Sequence, residues 1–328
     1  MLTLLQPVRQ PAWVAGLRFG LLCGLLLLLH RTAGAQPASP ATSQPGAFPA
    51  PSAEETGALA GAAPASTTAR RGAVLQPVWE AGLGLSALSL PDYRGSDTTR
   101  SYVLPVPYFI YRGPFFSVDR GGLKAELLDR GRLELDFSVN LSVPVRSDGN
   151  AARAGMPSLR PALEVGPQLL ADLWNSKDGK ASLQLRLPLR FAFALSSSTR
   201  DAGFIFHPRL GYDVKDFASV PGLNAGVVFG PMFATARQHD YFYSVDPRYA
   251  TASRPAYEAG GGYSGMQLTL SLSKRFPNYW FGAFLRADWL GGAVFRDSPL
   301  VRRNATVAGG IAFSWIFAVS DDLVSRRD

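Results

Sequence analysis

From Ala181 to Ser196 the chain reads ASLQLRLPLRFAFALS, with Leu183, Leu185, Leu187, Leu189, Phe191, Phe193 and Leu195 at every second position and Gln184, Arg186, Pro188 and Arg190 between them. Side chains alternate between the two faces of a strand, so this spacing makes one apolar face and one polar face. A helix would scatter the same residues around its whole circumference. The pattern returns in RLELDFSVNLSVPV, with Leu133, Leu135, Phe137, Val139, Leu141, Val143 and Val145 opposite Glu134, Asp136, Ser138 and Asn140. It returns again in GMQLTLSLSK and VAGGIAFSWIF. The elements predicted are twelve strands, over 77–90, 101–111, 114–119, 122–128, 132–145, 159–173, 181–195, 203–214, 222–236, 263–275, 278–290 and 303–317. If FFSVDRGGLKAELL is instead one continuous strand, the count falls to eleven and the loop parity changes.

With twelve strands, the long connections 91–100, 146–158, 196–202, 237–262 and 291–302 all fall on one side, and short turns fall on the other with both termini. That asymmetry belongs to an antiparallel up-and-down β-barrel of the outer-membrane type. A soluble β-sandwich also shows alternation. The strands here run about 11 to 15 residues, against the usual five or six. Aromatics gather near their ends, at Tyr108 to Tyr111, Tyr279 to Phe281 and Trp315 to Phe317, where interfacial girdles lie. The fold expected is therefore an all-β transmembrane barrel over 73–318, followed by a tail at 319–328.

The chain opens with Arg9 and Arg18, an apolar run from Phe19 to Leu29, and small residues at Ala33 and Ala35, the three parts of an export signal over 1–35. That run is too short to span a bilayer. The one cysteine, Cys23, lies inside it, which places it wrongly for lipid attachment at the cleavage site. Residues 36–72 are dominated by Ala, Pro, Ser, Thr and Gly and read as a disordered tether. Export to a Gram-negative outer membrane is the localisation expected. Of 33 basic and 25 acidic residues, three arginines and no acids lie in the leader, so the remainder carries a net charge of +5. Its basic residues are scattered singly, which argues against nucleic acid as a partner.

Motifs for catalysis are absent: there is no HExxH, no nucleophile elbow and no phosphate-binding loop. No metal ligand set, cofactor site or catalytic residue is expected. After the leader only His207 and His239 remain, each near acids, and a lumenal hydrolase would have to use one of them. On the strand register, Glu134, Asp136, Glu164, Arg186, Arg190, His207, Arg209, Asp213, Arg286 and Asp288 all point into the lumen. A lumen holding both signs neutralises itself through ion pairs.

The stretch WEAGLGLSALSLPDYRGSD, with Trp79, Gly82, Gly84, Pro91, Asp92, Tyr93, Arg94 and Gly95, resembles the opening signature of the MipA/OmpV family of MltA-interacting outer-membrane proteins. PVPYFIYRGPFFSVDRGGLKAELL, FGPMFATARQHDYFYSVDP, YEAGGGYSGMQLTLSLS and RDSPLV follow in the family's order, so the similarity spans about 77–317. The resemblance implies an outer-membrane barrel that is not an enzyme. It also implies a scaffold for peptidoglycan synthesis and remodelling, whose expected partners are membrane lipid, a lytic transglycosylase and a penicillin-binding murein synthase. Other members are described as adhesins or antibiotic-response proteins, and a narrow channel is a further alternative. The tether and the tail past Phe317 depart from the family pattern. Pro91 to Gly95 read either as a simple hairpin turn or as an exposed patch, formed by Asp92, Tyr93 and Arg94, for a ligand or partner.

Overall fold

A computed structural model describes residues 74–326 except 114–115, 120–121, 126–127, 130–131, 142–143 and 196–199. The leader and the tether lie outside the described residues. After β1 (Val74–Pro77), the wall is built from β2 (Trp79–Pro91), β3 (Thr99–Arg112), β4 (Phe116–Asp119), β5 (Gly122–Ala125), β6 (Leu128–Asp129), β7 (Leu133–Leu141), β8 (Ala162–Asn175), β9 (Ala181–Ala194), β10 (Arg200–Phe206), β11 (Arg209–Val214), β12 (Leu223–Ala234), β13 (Gly262–Arg275), β14 (Tyr279–Trp289) and β15 (Ala305–Val319). Each pairs antiparallel with its neighbours, and β15 pairs with β2 from Gly309↔Ser89 to Val319↔Glu80. The ends of the sheet meet because β5 pairs with β4 while β6, two residues further along, pairs with β7.

β10 and β11 both lie between β9 and β12, so they are halves of one wall strand broken at His207 and Pro208. With β5 and β6 likewise counted once, the described residues give the twelve wall positions expected, including the hairpin 116–125 that would have been lost in the eleven-strand reading. The tail is not a free end. After β15, β16 (Leu323–Arg326) turns back and pairs with β1, Val74 opposite Arg326 and Pro77 opposite Leu323.

The alternation in β9 is the one the sequence demands: Ser182, Gln184, Pro188, Arg190 and Ala192 are buried, whereas Leu189 and Phe191 are exposed on the outside. The outer surface carries Leu85, Val103, Phe137, Leu169, Leu210, Val227, Leu285, Ile311, Phe313 and Trp315, an apolar belt suited to lipid tails. Among the described residues no helix is long and apolar enough to cross a membrane.

Two expectations need correction. Val145 was placed on the lipid face of a strand reaching 145, but β7 ends at Leu141; Val145 is buried and bridges to Leu159 in the loops above. Tyr108 and Trp280 were placed in the aromatic girdle, but both point inward, with ring centroids 6.3 Å apart. They join Leu88, Leu104, Ile110, Phe284 and Ile316 in an apolar plug on the lumen side of β2, β3, β14 and β15. The lumen thus holds apolar side chains beside polar ones.

β3 shows why its prolines are tolerated. Arg112 N–H donates to Val78 and Asp92 N–H to Thr98, so even-numbered residues of β3 direct their backbone groups toward β2. Pro105 and Pro107, odd-numbered, would have directed an N–H to the other side, where among the described residues β3 pairs with β4 only at Tyr111 and Arg112. Missing donors cost nothing on an edge without a ladder.

Candidate functional site

The signature stretch opens the loop between β2 and β3. Asp92 N–H donates to Thr98 O (3.0 Å), Ser96 N–H to Tyr93 O (3.0 Å), and Gly95 sits at φ 89°, a conformation that favours glycine. The turn reading therefore describes its backbone. The exposed-patch reading does not survive for the side chains. Asp92 is 1% accessible and holds Arg100 Nε at 2.6 Å, while its second oxygen accepts from Asn150 (2.8 Å). Tyr93 is buried, donates to Leu300 O (2.8 Å) and meets Tyr243 edge-on at 6.1 Å. Burial pushes its hydroxyl up to about 12. Arg94 drops into the lumen, where its Nε donates to Asp288 Oδ1 at 2.9 Å.

Above the barrel the long connections fold onto this turn. The helix α1 (Ala236–Tyr243) follows β12 directly, and its Tyr243 ring stacks on Phe295 at 3.7 Å with planes 7° apart. Val145, Leu159, Val245, Leu290 and Leu300 complete a second apolar core. Two cationic side chains staple the loops. Arg254 donates to the carbonyls of Tyr249, Ala152 and Ala154, and Arg153 to those of Phe242 and Pro157. The outcome is a cap with its own core, bolted to the wall through the signature turn.

The structure places all ten lumen candidates on the inward register and brings several together. Arg186 meets Asp213 at 2.9 Å, and Arg190 meets Glu164 at 3.5 Å, with Asn140 also donating to that carboxylate. Asp288, fully inaccessible, accepts from Arg94, Arg286 (3.1 Å) and Gln267 (3.0 Å). Glu134, Asp136, His207 and Arg209 lie on the same inward face. At the opposite end Glu80 holds Arg112 (2.6 Å) and Arg275 (2.9 Å).

Ser264, Gln238 and the inward turn of Arg94 carry no signal in the sequence pattern. His239 Nδ1 lies 2.6 Å from Gly260 O, which can only accept, so the ring proton is on Nδ1 and Nε2 accepts from Ser264 Oγ at 2.6 Å. A hydroxyl on a neutral imidazole is half of a nucleophile and base pair. Here the other ring nitrogen faces a carbonyl instead of a carboxylate, and burial, aided by Arg94, holds the imidazole below its usual value despite Gly260 and the carboxylate of Asp240. The pair reads as a clasp joining α1 to β13.

A depressed histidine destabilises the folded cap in acid, since the unfolded segment binds the proton more readily. The cap is therefore expected to be most protected above about pH 6.5, the ordinary histidine value, and to loosen as pH falls below it. Limited proteolysis within 244–261 should accelerate over that range, and His239→Gln should flatten the dependence.

A family model for the MltA-interacting protein MipA matches residues 83–317. The chain belongs to the MipA family. The match takes in the signature turn, the wall from β2 to β15 and the whole cap. No match was found among curated proteins. Among solved structures, this MipA-family barrel is similar to the COG4313 outer membrane channel from Pseudomonas putida F1, at 12% identity and a TM-score of 0.41, covering 73% of this chain and 96% of that one. It is also similar to the CymD monoaromatic hydrocarbon channel, at 10% identity and a TM-score of 0.32, covering 74% and 89%. The outer membrane protein OprG from Pseudomonas aeruginosa aligns at 8% identity and a TM-score of 0.20, covering 74% and 95%. The fold rests on its own sheet and apolar belt.

Proposed function

We propose that this MipA-family barrel sits in the outer membrane as a non-enzymatic scaffold for murein synthesis and remodelling, and not as an open pore. In this reading the leader 1–35 directs export and is cut after Ala35, and the tether 36–72 extends from β1 on the periplasmic side. The observation that carries it is the obstructed lumen, filled by an apolar plug and buried ion pairs, with a packed cap above. A wall so filled leaves its outer ends as the surfaces free to work. The family's name points to MltA as the partner, and the resemblance implies that this is a lytic transglycosylase, with a penicillin-binding synthase in the same assembly.

The turn between β11 and β12 is a suitable contact. It holds Asp216, Ala218 and Ser219 at φ 52°, 54° and 60°, and leaves Phe217 and Val220 exposed. Non-glycine residues in that region store strain, which the surrounding structure must overcome. A photo-crosslinker at Phe217 or Val220 in intact cells is expected to capture a murein enzyme. Recovering none from cells in which those enzymes are abundant would sink the scaffold reading. The cavity beneath the cap favours a second reading, a narrow gated channel.

A further inference from the structure

We propose that the cavity under the cap binds a small organic carboxylate carrying one hydrogen-bond donor, its acid group held by Arg94 and its donor read by Gln238. The proposal is independent of what docks outside the barrel. The cavity measures about 160 Å³ and is walled by Tyr93, Tyr102, Phe242, Phe295, Ile205 and Met232. A space of roughly 150 Å³ accepts one benzene-sized ring.

Polar side chains line the cavity as well, among them Glu164, Arg190, His239, Ser264 and Arg286, which have partners of their own, whereas Arg94 and Gln238 each present a buried atom without one. The Nε of Arg94 is engaged by Asp288. Its Nη1 has only the thioether of Met232, at 3.0 Å, and its Nη2 has no acceptor although it is buried. Sulfur in a thioether is a weak acceptor, so the whole Nη1/Nη2 edge of the guanidinium is underused. That edge is the planar fork that receives a carboxylate through two parallel hydrogen bonds. On α1, Gln238 is 6% exposed, lines the same cavity and has a buried Oε1 with no donor. Buried polar atoms left unmatched are uncommon in folded proteins, and a ligand bearing both an anion and an N–H or O–H satisfies both.

The aromatic walls select an organic anion over an inorganic one, because a hydrated sulfate gains nothing from Tyr102, Phe242 or Phe295. Neutral phenols fill the walls but leave the fork unmatched. The ligand class is therefore a small monocarboxylic acid with a ring or short chain and one hydroxyl, amide or amine.

Calorimetric titration of the folded full-length barrel in detergent tests this, using the three hydroxybenzoate isomers, benzoate, phenol and sulfate as probes. At least one hydroxybenzoate is expected to bind at one site, ten-fold or more tighter than phenol or sulfate and several-fold tighter than benzoate. Arg94→Lys keeps the charge but loses the fork, and should weaken benzoate and hydroxybenzoate by ten-fold or more. Gln238→Met should reduce the hydroxybenzoate to the benzoate level and leave benzoate within two-fold. Heat-modifiable migration of each variant shows that the barrel is intact. Because Arg94 also holds Asp288, Gln238→Met is the variant that keeps the result interpretable if Arg94→Lys fails to fold. No binding of any acid at millimolar concentration would overturn the proposal. So would phenol or sulfate binding as well as the acids, or a Gln238→Met barrel that treats benzoate and hydroxybenzoate as wild type does.

Discussion

Asp288→Leu is expected to cost the barrel about 3–5 kcal/mol, the scale for breaking a buried ion pair from one side. Asp288 is fully inaccessible and receives the Nε of both Arg94 and Arg286 together with the amide of Gln267. Leucine fills the space but leaves two guanidinium groups beside it without that carboxylate. Asp288→Asn retains acceptor capacity and should cost less. The effect should reach the cap, because Arg94 is anchored at Asp288 while Tyr93, next to it, holds Leu300. Unfolding in guanidinium measures the first consequence, and faster proteolysis of the loop 244–261 the second. A leucine variant as stable as wild type would mean that the buried charges do little to hold the cap.

Leu187→Arg should be nearly as severe, costing about 2–4 kcal/mol near the bilayer midplane or blocking assembly outright. Leu187 lies on the outward face of β9, opposite Leu169 of β8, in the belt that meets lipid. The neighbouring Arg186 faces inward. It holds Asp213 at 2.9 Å and Gln184 at 3.0 Å. Arg186→Gln alone therefore leaves a buried carboxylate short of a charged donor and should cost about 1–3 kcal/mol. Pairing it with Asp213→Asn restores a neutral lumen, and the double variant should lose less than the two singles added together. Folded yield from vesicles and heat-modifiable migration check both. Equal tolerance of arginine at 187 and glutamine at 186 would contradict the inside and outside assignment.

Those two positions show which parts of the barrel could be read in advance. Period-2 alternation places Leu187 and Arg186 on opposite faces because a strand has only two faces, and that rule needs no knowledge of neighbours. It found the strand hairpin 116–125 as well. The signal fades where both faces are apolar, which is why Tyr108 and Trp280 passed for girdle residues when they belong to the plug. It cannot follow a strand that ends early, so Val145 was carried onto the lipid face. The tail offered four residues with no visible partner, since the strand that pairs with them lies some 250 residues earlier.

The site was legible only in part. The turn chemistry of Pro91 to Gly95 gave the backbone, with Gly95 at positive φ. Whether Arg94 pointed out or in depended on Asp288, nearly two hundred residues away, and on a cap whose core joins four separate loops. Such contacts leave no periodic trace. Gln238 and Ser264 acquire meaning only once α1 has been laid over the lumen.

Single-channel recording in planar bilayers tests the central claim, a barrel whose lumen is closed by its own side chains and cap. The purified barrel, inserted and correctly folded, is predicted to give no reproducible current steps at neutral pH and moderate voltage. Uniform, long-lived ion steps from that preparation would contradict it and make the channel the better account.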